Sequence, residues 1–306
     1  MGTSKWIKCI STQGNIRGVA IEAKDLVQQA ADQHGLSEAG TRALGEALMG
    51  ALLIASNCKD QERVNLNIRG SGNILQALVD AHPNGTTRGY VIERERPLEE
   101  FAPDLPEDGV VFEIGPKIGP WGEGLLSVLR TKSGHEKGQP YIGTVPLVTG
   151  HLAKDLTFYW AQSEQIPSSV GLAVEMKDGR VLAAGAFLVQ ALPGATPSEI
   201  QMIESHIQEI HSLSRRIVEN SDPIQILSQI FQSTAFVMLE ERPLSLHCDC
   251  SWDRVKRALT LVGVAELQSM LAEDKGASVL CDFCSKKYEV SAEEITALIS
   301  RAKGES

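Results

Sequence analysis

Four cysteines near the C-terminal end carry the most distinctive chemistry of this chain. Cys248-Asp249-Cys250 and Cys281-Asp282-Phe283-Cys284 form a C-x-C and a C-x-x-C on either side of an insert running from Ser251 to Leu280. Each pair supplies two thiolates from one short turn, and together they complete the tetrahedral sulfur shell that a zinc ion takes once the insert brings them side by side. His247, beside Cys248, could replace one thiolate. With four well-spaced thiols present it reads as an exposed neighbour. The same sulfurs are a redox system. On oxidation each pair closes most easily within itself, Cys248 with Cys250 and Cys281 with Cys284, because effective concentration favours sequence neighbours.

On the residues alone two roles for the metal stay open. A purely structural zinc clip lets a small unit fold that could not do so on its core alone. A switch follows if oxidation displaces the ion. Zinc ties residue 248 to residue 284 across the whole module, whereas local disulfides close only tiny loops, so the long-range tie and a folding free energy of roughly 10 kcal/mol or more leave with the metal. Cys9 and Cys58 lie far away, in an expected strand and at a helix end, and read as buried, inert thiols.

The cysteines need folded elements to hold them. Within the insert, Ser251 to Val262 and Val264 to Glu273 have helical spacing, Asp274-Lys275-Gly276 is a turn, and Ser291-Ala292-Glu293-Glu294 opens a last helix as a capping box. Upstream, Thr196-Pro197-Ser198-Glu199 is a second capping box with proline at the first helical position. Ile200, Ile203, Ile207, Ile210, Leu213 and Ile217 follow at three- and four-residue spacing, giving one apolar stripe. Asp222-Pro223 starts a short helix to about Phe231, and a polar stretch around Ser233 leads to the cysteines. The stripe is narrow and needs something to lie against, since propensity alone rarely holds such a helix. Its acids, among them Glu199, Glu204 and Glu209, read as a solvated face.

The first part of the chain mixes strand and helix patterns. Asn15 to Ala23 alternates like a strand, and Ser37 to Asn57 is a capped helix that becomes fully buried. Val64 to Arg69 alternates again, and after Gly70-Ser71-Gly72 a short helix is predicted from Asn73 to Ala81. Strands are predicted at Gly89–Glu93, Val110–Ile114, Leu125–Arg130 and Tyr141–Pro146, the last two separated by the turn SGHEKGQP. A helix over His151–Gln165 and a strand pair, Val170–Glu175 with Val181–Gln190, complete the pattern. The class is α+β, with an N-terminal mixed sheet-and-helix domain at 1–193, a helical, metastable linker at 194–245 and a small four-cysteine zinc domain at 246–306.

Length, charge and hydropathy narrow the function. At 306 residues the chain exceeds what one core usually organises, and a net charge of -10 argues against nucleic acid as a partner. The start, Met1 to Asn15, does not read as a secretion signal, and the longest apolar run, ALMGALLIA, is far shorter than the roughly 20 residues that span a bilayer. A cytosolic protein with no membrane contact is expected, in a compartment where a cysteine cluster serves metal or redox chemistry more often than structural disulfides. No catalytic nucleophile is placed with a base, and no nucleotide-binding glycine motif is complete, so no enzyme is expected. Gly70-Ser71-Gly72 reads as a tight structural turn.

On its cysteine pattern the chain resembles the bacterial redox-regulated thirty-three-kilodalton heat-shock chaperone family, along nearly its whole length. Supporting residues are Arg88-Gly89-Tyr90, Tyr141-Ile142-Gly143-Thr144-Val145, the helix running into Ser163-Glu164-Gln165 and Pro167, and Ala183-Ala184-Gly185 with Gln190 before Pro193. The resemblance implies an ATP-independent holdase, inactive when reduced and zinc-bound. On oxidation such a protein loses one Zn2+ from Cys248, Cys250, Cys281 and Cys284, forms the two local disulfides and unfolds its C-terminal part. It further implies that the linker then loosens, exposing apolar surface to unfolding client proteins, often as a homodimer. Two other classes compete with this reading. One is a zinc-stabilised RNA- or ribosome-binding module using Arg254, Lys256, Arg257, Lys286 and Lys287, diluted by Asp249, Asp253, Asp282 and Glu289. The other is a thiol–disulfide oxidoreductase working through Cys281 and Cys284.

Overall fold

Apolar alternation along short segments builds two mainly antiparallel sheets, and one apolar helix joins them. The computed structural model describes residues 4–95, 119–132, 140–210, 212–232, 234–273 and 276–303. It divides into two units, Met1–Leu246 and His247–Ser306. The first unit opens with the hairpin β1 (Lys5–Ser11) and β2 (Ile16–Glu22), followed by helices α1 (Lys24–His34) and α2 (Glu38–Ala55). Strands β3 (Glu62–Gly70), β4 (Ile74–Ala81), β5 (Thr86–Glu93), β6 (Gly124–Lys132) and β7 (Tyr141–Pro146) come next. Helix α3 (Leu152–Tyr159) runs into a π-helical turn at Trp160–Glu164 and is followed by the hairpin β8 (Ser168–Lys177) and β9 (Arg180–Ala191). The unit ends with α4 (Pro197–Glu209), α5 (Leu213–Glu219), α6 (Pro223–Phe231), β10 (Phe236–Pro243) and β11 (Ser245–Leu246).

One sheet has the order β10-β1-β2-β9-β8 and the other β11-β5-β4-β3-β6-β7. Helix α2 packs against β4 and β5 of one sheet and β8 and β9 of the other, which is why Ala47 to Ala55 is buried without a polar face. Its start is set by Ser37, whose hydroxyl accepts the Gly40 N–H at 3.0 Å. Leu44, Leu48 and Leu52 of this helix share a core with Trp6, Trp121 and Trp160. Each such side chain contributes about 1.5–3 kcal/mol by burial.

The opposite face of the five-stranded sheet is covered by α4, α5 and α6. Ile203, Ile217, Ile226, Leu227, Ile230 and Phe231 form a second core with Ile7, Cys9, Ala20 and Phe187. Gly18 permits this approach, since a Cβ there would stand 2.8 Å from Phe231 Cε2 and 2.9 Å from Leu227 Cδ2.

Several elements differ from the sequence expectations. Asn73–Ala81 is not a short helix: the segment from Ile74 is β4, paired on both sides with β3 and β5, because cross-strand partners override a local helical pattern. The stripe from Ile200 to Ile217 is broken into α4 and α5, and Ser212 starts the second helix by accepting the Arg215 N–H at 3.3 Å. Residues 194–245 fold with the first unit and end in a strand, β10, which pairs with β1 from Lys5↔Pro243 to Ser11↔Phe236. Helix α1 is not among the sequence expectations, although Leu26, Val27, Ala30 and Ala31 form a buried stripe and Gly35 closes it at φ 61°. The strand predicted at Val110–Ile114, most of the turn SGHEKGQP, His211, Ser233 and Asp274-Lys275 lie outside the described residues.

The second unit contains α7 (Trp252–Val262), α8 (Val264–Glu273), the hairpin β12 (Gly276–Leu280) and β13 (Lys287–Ser291), and α9 (Ala292–Lys303). Its core comprises Val255, Leu259, Leu267, Tyr288, Val290, Ile295, Leu298 and Ile299, little for a unit of this size. The expected capping box of α9 is present, with Ser291 N–H on Glu294 Oε2 at 3.1 Å and Glu294 N–H on Ser291 Oγ at 3.2 Å. Among the described residues no helix is long and apolar enough to cross a membrane.

Candidate metal centre

Cys248 and Cys250 lie in the irregular stretch that leads into α7, whose start is fixed by Ser251 accepting the Arg254 N–H at 3.3 Å. Cys281 and Cys284 occupy the turn joining β12 to β13. There the Cys284 and Ser285 N–H groups donate to the Cys281 carbonyl at 3.2 and 2.7 Å, and the Cys281 N–H donates to Lys286 O at 3.0 Å. Ser285 takes φ 55° to close that turn. The curl points backbone donors at sulfur: Phe283 and Cys284 N–H groups reach Cys281 Sγ, and the Lys286 N–H reaches Cys284 Sγ. Such donors stabilise thiolate charge and orient it.

The four Sγ atoms lie within 4.8 Å of one another. Cys250 Sγ is 3.3 Å from Cys284 Sγ, and Cys248 Sγ is 3.8 Å from Cys281 Sγ. A tetrahedral zinc with bonds of about 2.3 Å sets its sulfurs about 3.8 Å apart, so this donor set fits the ion in number, chemistry and spacing. These short approaches run between the two pairs, the arrangement a shared metal requires. Burial works to raise the Cys250 thiol, but hydrogen bonds led by that of Tyr288 outweigh it and bring the group down to about 7. Burial raises the Cys281 and Cys284 thiols. One of the four therefore ionises ahead of Cys281 and Cys284.

A family model described as Hsp33 protein matches residues 4–291, a span that takes in all four cysteines. The chain belongs to the Hsp33 family. The 33 kDa chaperonin of Shouchella clausii is 34% identical over 298 residues, covering 97% of this chain and 97% of that protein. The 33 kDa chaperonin of Synechococcus elongatus is 38% identical over 301 residues, 96% of each. The crystal structure of the Thermotoga maritima 33 kDa chaperonin superposes with a TM-score of 0.84 at 29% identity, covering 99% of this chain and 100% of that one.

In this Hsp33-family chain the other sequence candidates fall outside the cluster. His247 sits with Asp249, Nε2 to Oδ1 at 2.7 Å, and is not among the ligand atoms that gather. All six cysteines are free thiols. Burial pushes Cys9 up to about 12 and Cys58 up to about 11, so neither is a ready nucleophile. Gly70-Ser71-Gly72 is a structural turn. Its Ser71 and Gly72 N–H groups donate to the carbonyls of Glu123 and Trp121, and the Arg94 guanidinium donates to the carbonyls of Ser71 and Gly72, which leaves those N–H groups committed within the fold.

Three of the basic residues of the second unit are drawn into internal contacts. Lys256 lies 5.3 Å from the Trp252 ring centroid and Lys286 lies 5.0 Å from that of Tyr288, while Lys287 pairs with Glu289 at 2.5 Å. The C-x-x-C caps a two-stranded antiparallel hairpin rather than the end of a strand in a βαβ unit, which disfavours the oxidoreductase reading. Sequence reasoning missed Trp252 and Tyr288, whose rings stack at 5.7 Å and 19° beside the cluster. The signal available was an aromatic residue following each cysteine pair in a chain with few aromatics.

Proposed function

We propose that this chain is an ATP-independent holdase chaperone whose switch is the four-thiolate cluster. The observation that carries the reading is the gathering of Cys248, Cys250, Cys281 and Cys284 within 4.8 Å, in a small unit whose apolar core is otherwise thin. When bound, Zn2+ supplies the tie between the stretch before α7 and the β12–β13 turn, with roughly 10 kcal/mol or more of folding free energy. Reduced and zinc-loaded, the protein is at rest.

Oxidation by a peroxide takes two electrons from each cysteine pair. One sulfur attacks a peroxide oxygen, the O–O bond breaks and hydroxide leaves. The neighbouring sulfur then displaces the second hydroxide from the resulting sulfenic acid, forming S–S. Two peroxides thus convert the cluster to Cys248–Cys250 and Cys281–Cys284, and no thiolate remains to hold the ion. Once the cluster is lost, the second unit loosens.

The chain runs from β10 through β11 and His247 into Cys248, so loosening of the second unit frees the C-terminal end of the segment 194–245. Releasing it uncovers Ile203, Ile217, Leu227, Ile230 and Phe231, an apolar surface suited to unfolding client proteins and to pairing with a second copy. The cytosol, where thiols stay reduced until stress, is the compartment this chemistry suits.

The test is zinc content and free thiols before and after peroxide with mild heating, together with suppression of aggregation of a heat-labile client, in wild type and Cys281→Ser. Release of about one zinc with loss of four thiols and onset of protection supports the switch. Retention of zinc under oxidation, or protection indifferent to redox state, reduces the cluster to a structural clip.

A further inference from the structure

Tyr288 belongs to two structures at once. Its ring is 7% exposed within the core of the second unit and stacks on Trp252, the first residue of α7. Its hydroxyl donates to Cys250 Sγ at 3.2 Å. The donors to Cys281 and Cys284 described above are backbone N–H groups, set by the turn itself. The bond to Cys250 comes from a side chain and could be lost without altering any backbone.

We propose that Tyr288 is a positioning residue that sets how much oxidant the cluster withstands before it opens. The inference rests on the switch reading above. An O–H donated to a thiolate occupies a sulfur lone pair and withdraws electron density from it, so the sulfur attacks a peroxide oxygen more slowly. The step restrained is the first one: Cys250 Sγ bonds to one peroxide oxygen as the O–O bond breaks and hydroxide departs. Cys248 Sγ then closes the disulfide and expels the second hydroxide, two electrons having passed from the two sulfurs to the peroxide. Tyr288 keeps its proton throughout. Stacking on Trp252 holds the phenol in place, which ties oxidant sensitivity to the packing of α7 against β13.

The experiment compares wild type, Tyr288→Phe and Trp252→Phe as full-length, reduced, zinc-loaded proteins. Phenylalanine keeps the ring and removes only the hydroxyl. The readouts are the rates of thiol loss and zinc release in peroxide, and the sulfur-to-cobalt charge-transfer band after replacing zinc with Co2+. Tyr288→Phe is expected to release zinc about tenfold faster and to move the band to lower energy, because the sulfur donor level rises when its hydrogen bond is removed. Equal rates and an unmoved band overturn the proposal. So does an equal acceleration in Trp252→Phe with no band shift in Tyr288→Phe, which would make general loosening the cause. If wild-type zinc resists peroxide altogether, the switch itself falls and the inference with it, an outcome distinct from equal release by wild type and variant.

Discussion

Asn15 donates its Nδ2–H to Glu199 Oε1 across 2.8 Å, which fastens the turn between β1 and β2 to the first turn of α4. The other carboxylate oxygen, Oε2, accepts the Thr196 N–H at 2.8 Å and the Thr196 hydroxyl at 2.7 Å. One side chain therefore closes the helix cap and anchors the helix to the sheet.

Glu199→Ala is expected to loosen α4 while leaving the zinc in place. Hydrogen bonds from the Thr196 backbone, the Thr196 side chain and Asn15 hold the Glu199 carboxyl below its usual range. A depressed carboxylate stabilises the fold above its unfolded-state value and loses that contribution as pH falls through the folded one, so acid should mimic the substitution. Amide exchange across α4 in the reduced protein is the measurement. Unchanged protection in the variant would show that the tether is incidental.

Phe231→Ala should switch the protein on without oxidation. Phe231 is fully buried between α6 and the sheet, and truncation at such a site costs about 3–5 kcal/mol, enough to free α6. Reduced, zinc-loaded variant should suppress client aggregation where wild type does not. A variant that is destabilised to chemical denaturant yet inert toward the client would separate this segment from client binding.

Glu46 lies half-buried in α2, and burial raises its carboxyl to about 7 against the weaker opposing pull of Arg42. The folded state holds this proton more tightly than the unfolded chain. Its contribution is therefore complete at acid pH and declines as pH climbs from the ordinary glutamate range through about 7. Glu46→Gln should gain stability relative to wild type at pH 8 and not at pH 4. Denaturant midpoints at the two pH values decide it, and a gain of equal size at both would reject the assignment.

Chelating zinc under reducing conditions should unfold the second unit and leave the core around Trp6, Trp121 and Trp160 of the first intact. Far-ultraviolet dichroism is expected to lose the helical signal of α7, α8 and α9, while tryptophan emission from the buried Trp6, Trp121 and Trp160 of the first unit persists. Zinc added back should restore the signal. A dichroism spectrum indifferent to chelation would mean that the small core folds this unit unaided.

The four-cysteine cluster was legible in the sequence because thiol chemistry depends on residue type and spacing, and both are written linearly in Cys248-Asp249-Cys250 and Cys281-Asp282-Phe283-Cys284. Helix starts at Ser37, Thr196, Asp222 and Ser291 were legible for a similar reason, since a cap is a contact within a few residues. Strand β4 and the break at Ser212 were not, because long-range partners decide them: β4 is held by β3 and β5, and α4 and α5 by the face of a distant sheet.

By itself, then, the sequence determined the four-cysteine pattern, the α+β class, the capping signals and the family resemblance, all of which rest on local chemistry. Only the tertiary structure decided that residues 194–245 fold with the first unit and continue into β10, that Asn15 fastens Glu199, and that Tyr288 reaches Cys250. Those contacts join residues far apart along the chain. Their distances follow from how sheets and helices pack, which no local spacing encodes.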